Sequence, residues 1–298
     1  MLNYDEILGI AYLQLTGLGF LGNCILLCLN TINFFIDHKT RPKKLLIIHL
    51  SFSNAMLLLF RGIPTVTRLW RVKCFLNDLG IGIITYMQII SRSLSLASTC
   101  LLSAFQAITI SPNDSRLAEL KMKAPKCIMP NILLCWVFCL LLHMIILPYQ
   151  PGKKNTTDTK DGCNTGIRPL DMHNKNHIKL IIIACMHHIL LLCLMTCFSV
   201  YMVLILHRHK RHVRHIHSNS LSIKTSPETR ATQTILILVG TFVLFNILSP
   251  VFIIHMLYTK FTNNWMIHTS GFLSLGYPTI SPFILINIEK QIPRICVQ

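Results

Sequence analysis

Seven stretches of this chain run for roughly the length of a membrane helix with almost no charge, and that pattern limits the fold more than any motif does. Residues 7–36, 45–60, 127–152, 180–207, 231–259 and 261–288 contain no Asp, Glu, Lys or Arg, and 79–110 contains only Arg92. About 20 residues at 1.5 Å rise each cross a hydrocarbon core about 30 Å thick. Six runs reach that length, and 45–60 reaches it by continuing through Arg61. Lipid offers no partners for backbone groups, so helices are expected. The roughly 10-residue alternation of a membrane barrel is not seen. Only 13% of residues are charged and 52% are hydrophobic, too few polar groups to cover a soluble domain. The expectation is an all-α membrane protein, a seven-transmembrane helix bundle in one domain, with spans near 8–30, 45–65, 79–110, 127–149, 180–206, 232–258 and 264–287.

Orientation follows from the basic residues between the spans. Segments 37–44, 111–126, 207–230 and 289–298 hold sixteen Lys and Arg, whereas 1–6, 64–78, 148–177 and 259–263 hold nine. The positive-inside rule then places the N-terminus outside and the C-terminus in the cytosol. The net charge of +17 is mostly this bias and calls for no nucleic-acid partner. The first run is too long for a signal-peptide core and has no basic segment before it, so it is expected to stay as an anchor.

Most of the twelve cysteines fall in spans or on the cytosolic side, which leaves Cys74 and Cys163 as the pair able to bridge outside. Such a bridge would contribute about 2–4 kcal/mol. Gly17-Leu18-Gly19-Phe20-Leu21-Gly22 fits GxGxxG, but a dinucleotide site needs a strand before it and a soluble βαβ unit. Inside a membrane run, small residues that let helix one pack closely are the better reading. His207, His209, His212, His215 and His217 alternate with Arg208, Lys210, Arg211 and Arg214, whose charges repel a metal ion. That stretch reads as a basic continuation of helix five, facing membrane lipid head groups or a partner. GxSxG, HExxH and GxxxxGK[ST] are all missing, so no enzyme, metal or cofactor is expected.

Every acid lies in a loop or terminus. Ion-coupled transporters usually place carboxylates near the midplane, and many show a two-half repeat. Seven helices without intramembrane acids fit a receptor better than a carrier. On helix three, Thr85, Gln88, Arg92, Ser95, Thr99 and Gln106 recur at helical spacing as one polar stripe. Arg92 near mid-depth costs about 2.5–3.5 kcal/mol to insert, so it is expected either to hydrogen-bond across the bundle or to face a ligand. Asn54, His143, His187, His188, Asn246, His255, His268, Ser274 and Tyr277 are the other polar groups at membrane depth.

The chain resembles the vomeronasal type-1 receptors, seven-helix G-protein-coupled pheromone receptors. The resemblance rests on HLSFSN at 49–54 with RGIP at 61–64, and on RSLS at 92–95 running into TCLLSAFQAITISP at 99–112. It continues in SRLAELK at 115–121, KAPK at 123–126, SVYMVLILHRHKRHVRHIHS at 199–218, PETRATQ at 227–233 and YPTISPF at 277–283. It implies a plasma-membrane chemosensory receptor coupled to an inhibitory-class heterotrimeric G protein, with a small pheromone-like ligand among helices three, five, six and seven. Gln88, Arg92, Ser95, His188, Asn246 and Tyr277 are the ligand-facing candidates. Arg116, Lys121, Arg208, Lys210, Arg211 and Arg214 are the candidates to face the G protein. Pro112 should end helix three, Ser226-Pro227-Glu228 should start helix six, and Pro278 and Pro282 should bend helix seven. The family's glycosylation sequon is present at Asn155. Where the family has a cysteine at the outer end of helix three, this chain has Ile81. Two other readings follow: a receptor-like chain that no longer signals because of that loss, and a small-molecule transporter.

Overall fold

Within the described residues, the charge-free runs fold as helices. The computed structural model describes residues 3–36, 41–70, 72, 78–111, 118–144, 175–216, 236–248, 251 and 264–291. In chain order these form α1 (Tyr4–Ile36), α2 (Arg41–Leu69), α3 (Asp78–Ile110), α4 (Ala118–Met144), α5 (Lys175–Ile216), α6 (Leu236–Leu248) and α7 (Asn264–Gln291). The first five are long and apolar enough to cross a membrane, and α6 is a shorter apolar helix described over Leu236–Leu248. Among the described residues the chain is therefore all-helical, with seven helices.

Packing follows from which helices bury their surface. Two thirds of the most apolar stretch of α2 and of α3 is buried, against 28% for α1, 22% for α4 and 11% for α5. The centre is thus α2 and α3. Helix α1 packs on α2 and α7, while α3 packs on α2, α4 and α5. One apolar cluster joins Leu26, Leu50, Leu102, Met195, Met202, Phe242 and Tyr277, drawing α6 into the core between α5 and α7. The exposed faces of α1, α4 and α5 are apolar, with Leu18, Leu21, Leu133, Leu134, Leu141, Leu190 and Leu204 among their outward residues. Such faces suit lipid, where burial between helices is driven by close packing rather than by escape from water.

Small residues set that packing on α1. A Cβ at Gly19 would lie 2.7 Å from Thr279 Oγ1, and one at Gly22 would lie 3.0 Å from Pro282 Cγ. Both glycines therefore let α1 approach α7, whereas Gly17 faces open space. Two of the three glycines of the GxGxxG match are contact residues inside a helix.

Helix α2 is not uniform. It is α-helical to Leu57, makes one π-helical turn over Leu58–Gly62, and resumes as α-helix over Ile63–Leu69. Pro64 has no N–H to give the Phe60 carbonyl, and the ladder widens at that point. Helix α3 ends at Ile110, two residues before Pro112. Helix α7 continues through both Pro278 and Pro282. The expected helix-six start at Ser226-Pro227-Glu228 lies outside the described residues.

Candidate functional site

The polar side chains inside the bundle fall into two groups, and α3 supplies both. The first ties α3 to α2, α7 and α1. Ser95 Oγ donates to Asn54 Oδ1 at 2.6 Å, and Asn54 Nδ2 donates to Ser281 Oγ at 2.9 Å. Pro282 cannot bond the carbonyl four residues before it, that of Pro278. Asn23 Nδ2 of α1 fills the gap, donating to Pro278 O at 2.8 Å. One turn along α3, Thr99 Oγ1 donates to Ser95 O, so the Tyr277 hydroxyl at 2.9 Å must donate to Thr99. Tyr277 also meets Phe242 of α6 edge-on, with ring centroids 4.4 Å apart.

A related chain joins α4 to α2 and α3. Trp136 Nε1 donates to His49 Nε2 at 2.7 Å, so that nitrogen carries no proton. The neutral ring then holds its hydrogen on Nδ1 and donates to Ser98 Oγ, 2.6 Å away.

The second group sits among α3, α4 and α5. Ser93 Oγ lies 2.8 Å from His143 Nε2 and 3.1 Å from His188 Nε2. A hydroxyl has one proton, so at least one imidazole must present Nε2–H to it. His187 stands beside His188 at 5.6 Å between ring centroids. The Nδ1 atoms of His143 and His187 are buried without a partner. Arg92 is half-buried on the adjacent position of α3 and lies within electrostatic reach of His188. The cluster thus offers imidazole nitrogens able to donate or accept, next to one permanent cation. A polar group held out of water needs such partners.

The candidate residues divide between these settings. Gln88 and Arg92 are half-buried one turn apart on α3, and His188 is half-buried on α5 against Ser93. Asn246, half-buried on α6, donates to the Phe242 carbonyl of its own helix at 3.0 Å. Ser95 and Tyr277 are buried and occupied by the bonds to Asn54 and Thr99. On the basic side, Lys121 Nζ donates to Ser111 O at 3.3 Å, and Ser111 Oγ lies 3.0 Å from the Tyr201 hydroxyl of α5. Arg208 is exposed on α5, which runs on to Ile216. Lys210, Arg211 and Arg214 fall on those last turns, their side chains outside the described part. Arg116, Asn155, Cys74 and Cys163 also lie outside the described residues. Eight cysteines within the described residues are free thiols.

Ser93 and Asn23 escaped the sequence reading. Serine in an apolar helix usually bonds back to its own carbonyl four residues earlier, as Ser91 and Ser103 do here. Nothing in the sequence separates Ser93 from them. For Asn23 a signal existed, because Pro282 frees a carbonyl that some neighbour must satisfy.

Comparison with known proteins agrees with this architecture. The profile of the family described as "Vomeronasal organ pheromone receptor family" matches residues 7–298. Vomeronasal type-1 receptor 4 of Pongo pygmaeus is 38% identical over 292 residues, covering 95% of each chain. Vomeronasal type-1 receptor 3 of Homo sapiens is 36% identical over 301 residues, covering 99% of this chain and 95% of its own. Olfactory receptor class A-like protein 1 of Danio rerio is 27% identical, covering 95% of this chain and 90% of its own.

Proposed function

The chain belongs to the vomeronasal organ pheromone receptor family, and from that membership we propose that it is a plasma-membrane receptor for a small pheromone-like molecule, signalling through an inhibitory-class heterotrimeric G protein. The observation that supports a ligand site most directly is the polar cluster in which buried His143 and half-buried His188 meet Ser93, with half-buried Arg92 and His187 beside them. Gln88 extends it along α3, and Asn246 of α6 stands on the neighbouring wall. Ser95 and Tyr277 serve instead to carry a change in α3 to α2, α6 and α7. The N-terminus faces outward, and the basic start of α4 and the basic end of α5 face the cytosol.

Activation is then a population shift. The ligand favours the bundle arrangement it binds more tightly, in which α6 stands further out. A hundredfold preference moves the equilibrium by about 2.7 kcal/mol. Interhelical hydrogen bonds in membranes contribute about 0.6 kcal/mol on average and up to about 1.7. A ligand of that selectivity therefore matches the exchange of two to four such bonds, the scale of the network around Asn54 and Tyr277. The outward position opens a cleft rimmed by Arg116, Lys121, Arg208, Lys210, Arg211 and Arg214.

The test is a small-molecule screen in cells carrying the chain and an inhibitory-class G protein, scored by loss of cyclic AMP. For any responding compound, Arg92→Gln and His188→Gln should each raise the half-maximal concentration at least about tenfold, one lost hydrogen bond to a charged or buried group being worth about 1.5 kcal/mol. Unchanged potency in both variants at equal surface level would place the ligand elsewhere. Ile81, in place of the family's cysteine, favours a second reading in which the chain reaches the surface poorly; Ile81→Cys would then restore delivery.

A further inference from the structure

Helix α6 meets α7 through two aromatic rings. Leu238, Phe242 and Phe245 recur at i, i+4 and i+7 and so share one face of α6. Leu238 and Phe242 are buried in the main apolar cluster, and half-buried Phe245 packs against it. The two rings face consecutive residues of α7: Phe242 stands edge-on to Tyr277, and Phe245 lies over Gly276. A Cβ at Gly276 would be 2.5 Å from Phe245 Cε1, 2.8 Å from Cδ1 and 3.1 Å from Cζ. The ring thus fills the space that any other residue's side chain would take, directly on the α7 backbone. Gly276 lies inside α7 with no left-handed φ, so glycine serves here for room and not for conformation. Phe245 is a knob, and Gly276 is its notch.

The two sides of this contact are held differently. On α7 the residues beside the notch are tied to other helices: Tyr277 donates to Thr99 of α3, and the Pro278 carbonyl accepts from Asn23 of α1. Thr279 packs on Gly19 of α1 one residue further on. Thr241 and Asn246, the polar side chains of α6 within the described residues, bond back to carbonyls of their own helix, those of Leu238 at 2.8 Å and Phe242 at 3.0 Å. Helix α6 is therefore joined to α7 by packing, whereas the notch is fixed in place by hydrogen bonds. Between helices in lipid such packing carries the association. A close-packed contact of this kind is either seated or unseated, because cores resist continuous deformation.

Resting on the reading of the chain as a receptor whose α6 moves outward, we propose that Phe245 and Gly276 are the positioning pair that seats α6 inward without ligand and so sets the resting level of signalling. Any outward travel of α6 draws the Phe245 ring off the α7 backbone. The residue after the notch, Tyr277, is bonded to α3, so a change in α3 reaches the seat through Thr99.

The full chain is placed in phosphatidylcholine nanodiscs with genetically encoded fluorophores at two exposed positions, Ile237 of α6 and Met122 of α4. The distribution of distances between them is measured without ligand and without G protein, and ligand-free nucleotide exchange by an inhibitory-class G protein is read alongside. A methyl forced into a filled site shifts a two-state balance about fivefold or more. Gly276→Ala should therefore raise the population at longer distance about fivefold, and Phe245→Ala, which removes the knob, should raise it as well. Gly276→Ala/Phe245→Leu, a methyl facing a smaller side chain, should return to within about twofold of the wild type. Gly240→Ala, facing open space on α6, should leave the distances unchanged. If Gly276→Ala does not fold, Phe245→Ala and Phe245→Leu decide, the first shifting the distances more than the second. Shifted distances with exchange no greater than in nanodiscs lacking the chain would keep the seat and refute the G-protein reading. Distances unmoved in Gly276→Ala and Phe245→Ala, or a Gly276→Ala shift that Phe245→Leu does not reverse, overturn the proposal.

Discussion

Asn54 is the side chain whose removal should cost the bundle most for its size. It is 1% exposed and joins α2 to two helices at once, accepting from Ser95 at 2.6 Å and donating to Ser281 at 2.9 Å. At about 0.6–1.7 kcal/mol for each interhelical bond, Asn54→Ala forfeits between about 1.2 and 3.4 kcal/mol. Burial without access to water and the short Ser95 contact put the expected loss near 2 kcal/mol. Part of it is recoverable, because Ser95 can fall back on a carbonyl of its own helix, as Ser98 and Thr99 do. The coupling between Asn54 and Ser95 should therefore be near 1 kcal/mol. Equilibrium unfolding in mixed micelles, followed by tryptophan fluorescence, measures it through Asn54→Ala, Ser95→Ala and the double variant. Additivity within about 0.3 kcal/mol would show that the two side chains do not share a bond and would refute the network.

Further outcomes follow from single contacts. Gly19→Ala should destabilise by about 1–3 kcal/mol through collision with Thr279, while Gly17→Ala, facing open space, should gain up to about 1 kcal/mol in the same unfolding assay. Thr99→Val and Tyr277→Phe break one shared bond, so the double variant should lose about 1 kcal/mol less than the two single losses summed. Trp136→Phe leaves His49 Nε2 unpaired and should cost about 1–3 kcal/mol, with Trp136→Phe/His49→Leu recovering part of it. A chain tagged at Met1 should stain on intact cells and shift on a gel after N-glycosidase, a shift that Asn155→Gln removes; staining only after permeabilisation would contradict the outward N-terminus.

The helices were legible because a membrane helix declares itself by length without charge, and the positions of α1 to α5 and α7 need no knowledge of neighbours. The second run looked short because Arg61 interrupts it. The helix in fact passes through Arg61 and Pro64 by widening into a π turn, which periodicity at 3.6 residues cannot show. On α3 the spacing of Thr85, Gln88, Arg92, Ser95, Thr99 and Gln106 predicts one polar face. The helix is central, so its serines and threonines reach different partners: Ser93 points to α4 and α5, Ser95 to α2, Thr99 to α7. A repeat along one helix gives direction relative to that helix only, and which neighbour stands there is a property of the bundle. Gln88 and Arg92 are half-buried, whereas Ser95 and Tyr277 are buried and taken up by helix-to-helix bonds.

The most direct test of receptor function is nucleotide exchange by an inhibitory-class G protein reconstituted in vesicles with the purified chain. Exchange without ligand should exceed that of vesicles lacking the chain. It should fall severalfold when Arg116, Lys121, Arg208, Lys210, Arg211 and Arg214 are changed together to glutamine, with the helical content unaltered. Exchange equal to empty vesicles in the wild type, or undiminished in the neutralised variant, would contradict a G-protein-coupled receptor that uses this basic rim.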